Sequence, residues 1–455
     1  MERKIGWEIW SEEKIKQTFE YSENYKEFLS RNKTVRKFVN GCVYEAQKLG
    51  FKDISEFAKL KKGDKFYKIN KGKEIILGFL GDKKLIDGCK FIVAHIDCPR
   101  IDLKTSPLYE DENIALFKTY YYGGIKKYQW LTIPLALHGV VFLKDGTFKE
   151  IEIGEKETDP VFTITDLLPH LAKEQMKKTI EDGFPGESLN VLVGTMPEKE
   201  KGKEKVKAKV LKILKDFYGI EEEDFISSEL EFVPAGKAKD AGIDRSMVLA
   251  YGQDDRVCSY TSFTAFLDSV NNTVNNIFCI LVDQEEIGSR GSTSASSSFF
   301  EYFIEEVLEK SGYSLMDIKK VFQNSKAISG DVNTLLDPNY KDAYEPRNSA
   351  KIGCGVVLTK ITGGRGKGGS TEPTGEYVAY IRKIFDKNNV LWQPGEIGKL
   401  ELGGGGTVAT YFARYNIDTI DCGTGVLSMH APFELTSKAD IYSTYEGYKA
   451  FYKEE

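Results

Sequence analysis

"IFCILVDQEE", residues 277–286, sets six apolar residues directly against four polar ones, three of them acidic. Ile277 to Val282 has the make-up of a strand buried on both faces. Asp283, Gln284, Glu285 and Glu286 follow without a spacer. Burying an ionised carboxylate without a partner costs on the order of several kcal/mol. The two adjacent glutamates must therefore reach water, or something must neutralise them where the strand ends.

Other apolar runs share this plan: "EIILGFL" (74–80), "KFIVAH" (90–95), "KAISG" (326–330), "CGVVLTKI" (354–361) and "IDTIDCG" (417–423). Helical spacing separates the later ones, at 258–270, 299–311 and 373–387. It also marks residues 12–60, where Val35, Phe38, Val39, Val43, Ala46 and Leu49 recur before Gly50. Strands alternating with helices predict an α/β fold, a mostly parallel sheet sandwiched by helices. Residues 107–239 differ. Aromatic-rich alternating segments such as "LFKTYYYGG" and "LTIPLALHGVVFL" predict an inserted β-rich module, with 1–106 and 240–455 forming the main domain.

Composition narrows the function. The net charge of −6 over 455 residues argues against a nucleic-acid or anionic-membrane partner, because either needs a basic face. The lysine-rich run "EKEKGKEKVKAKVLK" (198–212) alternates sign and reads as a solvated loop and helix face. No apolar stretch is long enough to span a bilayer, and "MERKIGWEIW" has no apolar signal core, so the cytoplasm is the expected compartment. Seven scattered cysteines with no C-x-x-C pair read as reduced, packed thiols. Neither "GGRGKGGST" (363–371) nor "LGGGGTVA" (402–409) has phosphate-loop spacing. The second, with Gly404 and Gly405, instead suits close approach of a backbone to a substrate.

The chemistry collects at the strand ends. His95 and Asp97 close one run, Glu285 and Glu286 another, and Asp331 a third; "MVLAYGQDD" leads into Asp254 and Asp255, and "CGTGVLSMH" into His430. In open α/β sheets this carboxyl edge is where ligands bind. A histidine two residues before an aspartate fits either a structural pair or a metal ligand oriented by a carboxylate. The charge arithmetic favours the metal. Two divalent ions carry four positive charges; Asp254, Glu286 and Asp331 supply three negative ones and a hydroxide the fourth. His95 and His430 add neutral donors, and Glu285 is left over.

The motifs "AHIDCPRIDLK", "YYYGGIKKYQWLTIPLALHGVV", "FVPAGKAKDAGIDRSMVLAYGQDDRV", "DQEEIGSRGS" and "SMHAPFELTSKADIY" resemble, in order and over nearly the whole chain, the aspartyl aminopeptidase / aminopeptidase I family. The resemblance implies a metallopeptidase domain interrupted by a dimerisation domain, dimers assembled into a dodecamer, and two co-catalytic zinc ions. Manganese and cobalt are the alternatives for such a donor set. It implies His95, Asp254, Glu286, Asp331 and His430 as ligands, Asp97 as the carboxylate orienting His95, and Glu285 as general base. His170, in "LLPHLA", resembles a histidine that reaches a neighbouring subunit's active site; the other reading makes it a ligand. Peptides with a free N-terminus are the implied substrates. An acidic first residue would meet Lys360, and neutral or broad specificity is the other option. The competing activity is an N-acyl amino acid deacylase or carboxypeptidase built on the same metals.

Overall fold

Every residue of the Ile277–Val282 strand is buried, and the strand lies inside a nine-stranded sheet. Its order is Lys52–Asp53, Lys65–Asn70, Glu74–Phe79, Ile277–Val282, Lys90–His95, Lys326–Gly330, Asp418–Gly423, Val356–Thr359 and Trp392–Pro394. The computed structural model describes residues 3–199 and 202–455. Residues 1–2 of the opening segment and 200–201 of the lysine-rich run lie outside the described residues.

Four central strands, beginning at Ile277, Lys90, Lys326 and Asp418, are mutually parallel. Antiparallel neighbours, Glu74–Phe79 and Val356–Thr359, flank them. The sheet is thus mixed, with a parallel centre. Period-two alternation divides its side chains between two cores. Ile92, Ala94, Cys279, Leu281, Ile328 and Ile420 pack with the helices Glu12–Arg31, Val35–Lys48, Gln253–Ser269, Gly375–Lys387 and Lys438–Lys453. Phe91, Val93, Phe278, Ile280 and Ala327 pack with Phe299–Lys310 and Ile318–Asn324 on the other face. With both faces covered, the parallel strands can be apolar at consecutive positions. Polar groups can gather at their carboxyl ends.

This unit runs to Asp97 and takes in Ala238–Met429 and Glu434–Glu455. The second unit comprises Cys98–Lys237 with His430–Phe433. The sequence reading began the insert at residue 107. The contacts begin it at Cys98, because Arg100–Asp111 is one continuous strand of the insert's own sheet. That sheet is antiparallel and six-stranded, ordered Phe148–Ile153, Leu135–Phe142, Ser228–Pro234, Arg100–Asp111, Ile114–Tyr122 and Val191–Gly194. His138 is buried in it, 2.8 Å from Glu155. The aromatic segment at 120–130 divides between surface and core. Tyr120, Tyr121 and Tyr128 are exposed, but Trp130 is fully buried and belongs to the unit's core.

Candidate metal centre

His95 is the last residue of the Lys90–His95 strand and is buried. Its Nδ1 lies 3.0 Å from the carbonyl oxygen of Asp97 and 3.4 Å from Asp97 Oδ1, which leaves Nε2 facing Asp254 Oδ1 at 3.4 Å and Glu285 Oε2 at 4.0 Å. Asp97 is fully buried and does more than orient the ring. Its Oδ1 accepts from the Glu285 N–H and its Oδ2 from the Glu286 N–H, both at 3.1 Å. One carboxylate therefore fixes the imidazole and the two glutamates together.

Those glutamates do not continue the strand. Continued extended backbone would put the side chains of 285 and 286 on opposite sides. Instead Gln284 adopts a left-handed conformation (φ 67°) and Glu285–Ile287 form a short 3₁₀ turn. The turn offers both backbone N–H groups to Asp97, which an extended segment would not do.

Asp254 and Asp255 open the Gln253–Ser269 helix. The N–H of Asp254 donates to Glu434 Oε2 at 2.9 Å, and the N–H of His95 to Asp255 Oδ2 at 3.3 Å. Ser259, one helical turn on, donates to the His95 carbonyl oxygen at 2.6 Å. Asp331 follows the Lys326–Gly330 strand.

Two groups of ligand atoms result, each within 4.8 Å of one another: His95, Asp254 and Glu286, and His95, Asp255 and Asp331. Burial pulls the His95 imidazole toward neutrality, but Asp254 and Asp97 more than offset it, so its pKa lies well above the ordinary value. Burial pushes the Asp255 and Asp331 carboxyls well upward, and their mutual repulsion adds to the rise at Asp331. Among the described residues, no nitrogen or oxygen donor reaches the buried Asp255 Oδ1. Oxygen and imidazole donors, crowded carboxylates and this buried oxygen fit divalent cations.

Asp255 and Glu434 were missed as contributors. Both adjoin motif residues, in "QDDR" and "MHAPFE", but each depends on a fold contact that spacing does not show. His170 and His430 belong to the second unit and lie outside these two groups. His170 is exposed, and His430 Nδ1 is 2.7 Å from the Gly124 carbonyl oxygen. Lys360 is half exposed, 4.0 Å from Glu372, which also pairs with Lys367 at 2.8 Å. The two glycine clusters pack backbone on backbone. A Cβ on Gly404 (φ 108°) would stand 2.5 Å from the Gly364 nitrogen, and the Gly405 N–H donates to the Thr362 carbonyl oxygen at 3.1 Å.

A buried histidine and several carboxylates at the parallel edge of a helix-covered sheet define a metallohydrolase-type site. Comparison with known proteins narrows that class. The model for "Aminopeptidase I zinc metalloprotease (M18)" matches residues 28–452. A probable M18 family aminopeptidase 1 of Clostridium acetobutylicum is 48% identical, covering 99% of this chain and 98% of that protein. The crystal structure of an M18 family aminopeptidase from Thermotoga maritima matches with TM-score 0.96 at 45% identity, covering 100% of both chains. The Saccharomyces cerevisiae mApe1 dodecamer shares the fold, with TM-score 0.77 at 21% identity, 95% of this chain and 96% of that one. The chain belongs to the M18 family of aminopeptidase I zinc metalloproteases. It is a metal-dependent aminopeptidase, a hydrolase acting on peptide bonds.

Proposed function

We propose that this aminopeptidase works with two divalent ions, zinc first among the candidates, and uses Glu285 as general base. His95, Asp254, Glu286, Asp331 and His430 would hold the ions. Such a pair, when bound, polarises the scissile carbonyl and lowers the pKa of the attacking water. Glu285 Oε2 would accept that water's proton and return it to the leaving amine. Asp97 holds the Glu285 backbone while Glu285 Oε2 stays 4.0 Å from His95 Nε2, so the base faces the donor set. The observation that carries this reading is the crowding of Asp254, Asp255, Glu286 and Asp331 around His95, with Glu285 beside them and outside both donor groups.

Lys360 would meet an acidic first side chain, and Gly404 and Gly405 would let the peptide backbone come close. The half-exposed Lys360 has one counter-charge nearby, Glu372, at 4.0 Å, leaving its cation open to a substrate. His170 would contact substrate from a neighbouring subunit. Its loop exposes Leu167, Leu168, Leu171 and Met176, apolar surface that suits an interface. We propose dimers assembling to a dodecamer, the assembly named for the yeast mApe1 structure, with the enzyme acting on peptides in the cytoplasm.

A panel of aminoacyl and N-acyl substrates, run with and without chelator, tests the reaction. Chelator-sensitive release of free N-terminal residues, fastest for Asp or Glu, supports the reading. Turnover of N-acyl substrates with none of free N-termini would replace it with the deacylase.

A further inference from the structure

Asp97 is not the only contact that shapes the loop carrying Glu285 and Glu286. Asp283 stands two residues before Glu285 and is 1% exposed. Its N–H donates to the Thr293 carbonyl oxygen at 3.0 Å, and its Oδ2 accepts from Thr293 Oγ1 at 3.1 Å. Residues 283 and 293 thereby close the loop at its base. Lys73 Nζ lies 3.2 Å from the same Oδ2 and brings a cation to this buried carboxylate.

Lys73 comes from the tight turn between the strands Lys65–Asn70 and Glu74–Phe79. Lys71 and Gly72 at its centre have positive φ (52° and 72°), and the Lys73 N–H donates to the Asn70 carbonyl oxygen at 3.0 Å. Arg36 Nη1 donates to the Lys71 carbonyl oxygen at 3.0 Å and ties the turn to the helix Val35–Lys48. Two more side chains reach the loop from this turn. Asn70 Nδ2 donates to the Ser292 carbonyl oxygen at 2.7 Å, and Lys71 Nζ to Ser292 Oγ at 2.6 Å. Asn70, Lys71 and Lys73 thus hold the loop at both sides of its base.

The loop needs holding because Gln284 is left-handed (φ 67°), a conformation that costs energy for a residue with a Cβ. Asp97 fixes the N–H groups after Gln284, and Asp283 fixes the residue before it. We propose that Lys73, through its ion pair with Asp283, is a positioning residue for Glu285 and Glu286. The proposal rests on their reading as general base and metal ligand. Misplacing a reacting group by about 1 Å can cost on the order of 10²-fold in rate. Partners that orient metal ligands from outside are typically worth about 10–100-fold in metal affinity or activity.

The test compares variants of the zinc-loaded enzyme. Lys73→Met should lower kcat about 10–100-fold while KM stays near the wild-type value, and it should yield zinc more readily to a competing chelator. Lys73→Arg keeps the charge and should recover part of the rate. Lys68→Met is the control, since it removes another lysine of the same hairpin, paired with Glu306 at 2.5 Å. It should change neither kcat nor zinc retention. Where Lys73→Met fails to fold, Thr293→Val, which removes the hydroxyl donor to Asp283, should shift kcat and zinc retention in the same directions. Values equal to those of Lys68→Met, with Glu285→Gln inactive, would overturn the proposal. So would equal losses in Lys73→Arg and Lys73→Met. Full activity in both Glu285→Gln and Glu286→Gln would instead remove the reading of the site, and the proposal with it.

Discussion

Two regions of the main unit compensate clustered charge in opposite ways. Asp240 lies between Lys26 Nζ at 2.5 Å, Lys438 Nζ at 2.8 Å and Arg245 Nε at 2.8 Å. Desolvation works against its ionised form, yet Lys26, Lys438 and Arg245 outweigh it and hold its pKa well below the usual carboxylate range. Around His95 the carboxylates meet one another and a single imidazole, and Asp255 and Asp331 are driven upward. Where the chain needs charge only for architecture, it supplies its own cations. Where it leaves carboxylates crowded together, the compensating charge comes from outside. The contrast singles out the His95 cluster as the candidate metal site without reference to any relative.

The largest expected effect lies on the uncompensated side. Glu285→Gln keeps shape and hydrogen bonding but cannot accept a proton, so kcat should fall about 10²–10⁴-fold, the usual worth of a general acid–base group. The folded state and metal content should match the wild type, as steady-state kinetics and metal analysis on one sample would show. A rate within threefold of wild type would remove Glu285 from the mechanism.

The comparison also explains which parts of the site were legible in the sequence. The strand ends were, because an apolar run that stops at His95 or Val282 places the next polar residues at the sheet's edge. The alignment of Asp254 with Glu434 was not, since that hydrogen bond links positions 180 residues apart. Nor was the dual grip of Asp97, which depends on the left-handed Gln284 turning two backbone N–H groups inward. The insert starts at Cys98 and not at 107 because Arg100–Asp111 pairs within the insert's own sheet, a contact that spacing does not show. Nor was the burial of Trp130 legible, which ends a tyrosine-rich stretch and is enclosed only by the fold.

On the compensated side, Lys438→Met should act on stability alone. Lys438 is fully buried, bonded to Asp240 and 4.3 Å above the Phe19 ring. Removing it leaves Asp240 with two cations in place of three, a loss on the order of 1–3 kcal/mol. Thermal unfolding should show a lower melting temperature, while metal content and kcat per folded enzyme stay unchanged. A loss of metal would dissolve the distinction between the regions.

Asp440 shows a third mode of compensation. Its carboxylate accepts from the Gly353 N–H at 2.8 Å and the Gly355 N–H at 2.7 Å, yet burial raises its pKa to about 7. Between about pH 4, where the unfolded chain releases this proton, and pH 7, the folded protein retains it. The unfolded state binds fewer protons there, so this group's contribution falls as pH rises through that window. Denaturant titrations at pH 5 and pH 8 should show a smaller pH-dependent loss in Asp440→Asn than in the wild type. An unchanged loss would assign the dependence to other groups.

The central claim is that cations complete the His95 site and that the adjacent glutamates divide the work. Counting bound zinc per chain tests it most directly, after dialysis against trace-metal buffer, in the wild type, Glu285→Gln and Glu286→Gln. The account predicts two, two and at most one. One ion in the wild type, or loss of metal from Glu285→Gln with retention in Glu286→Gln, would contradict it.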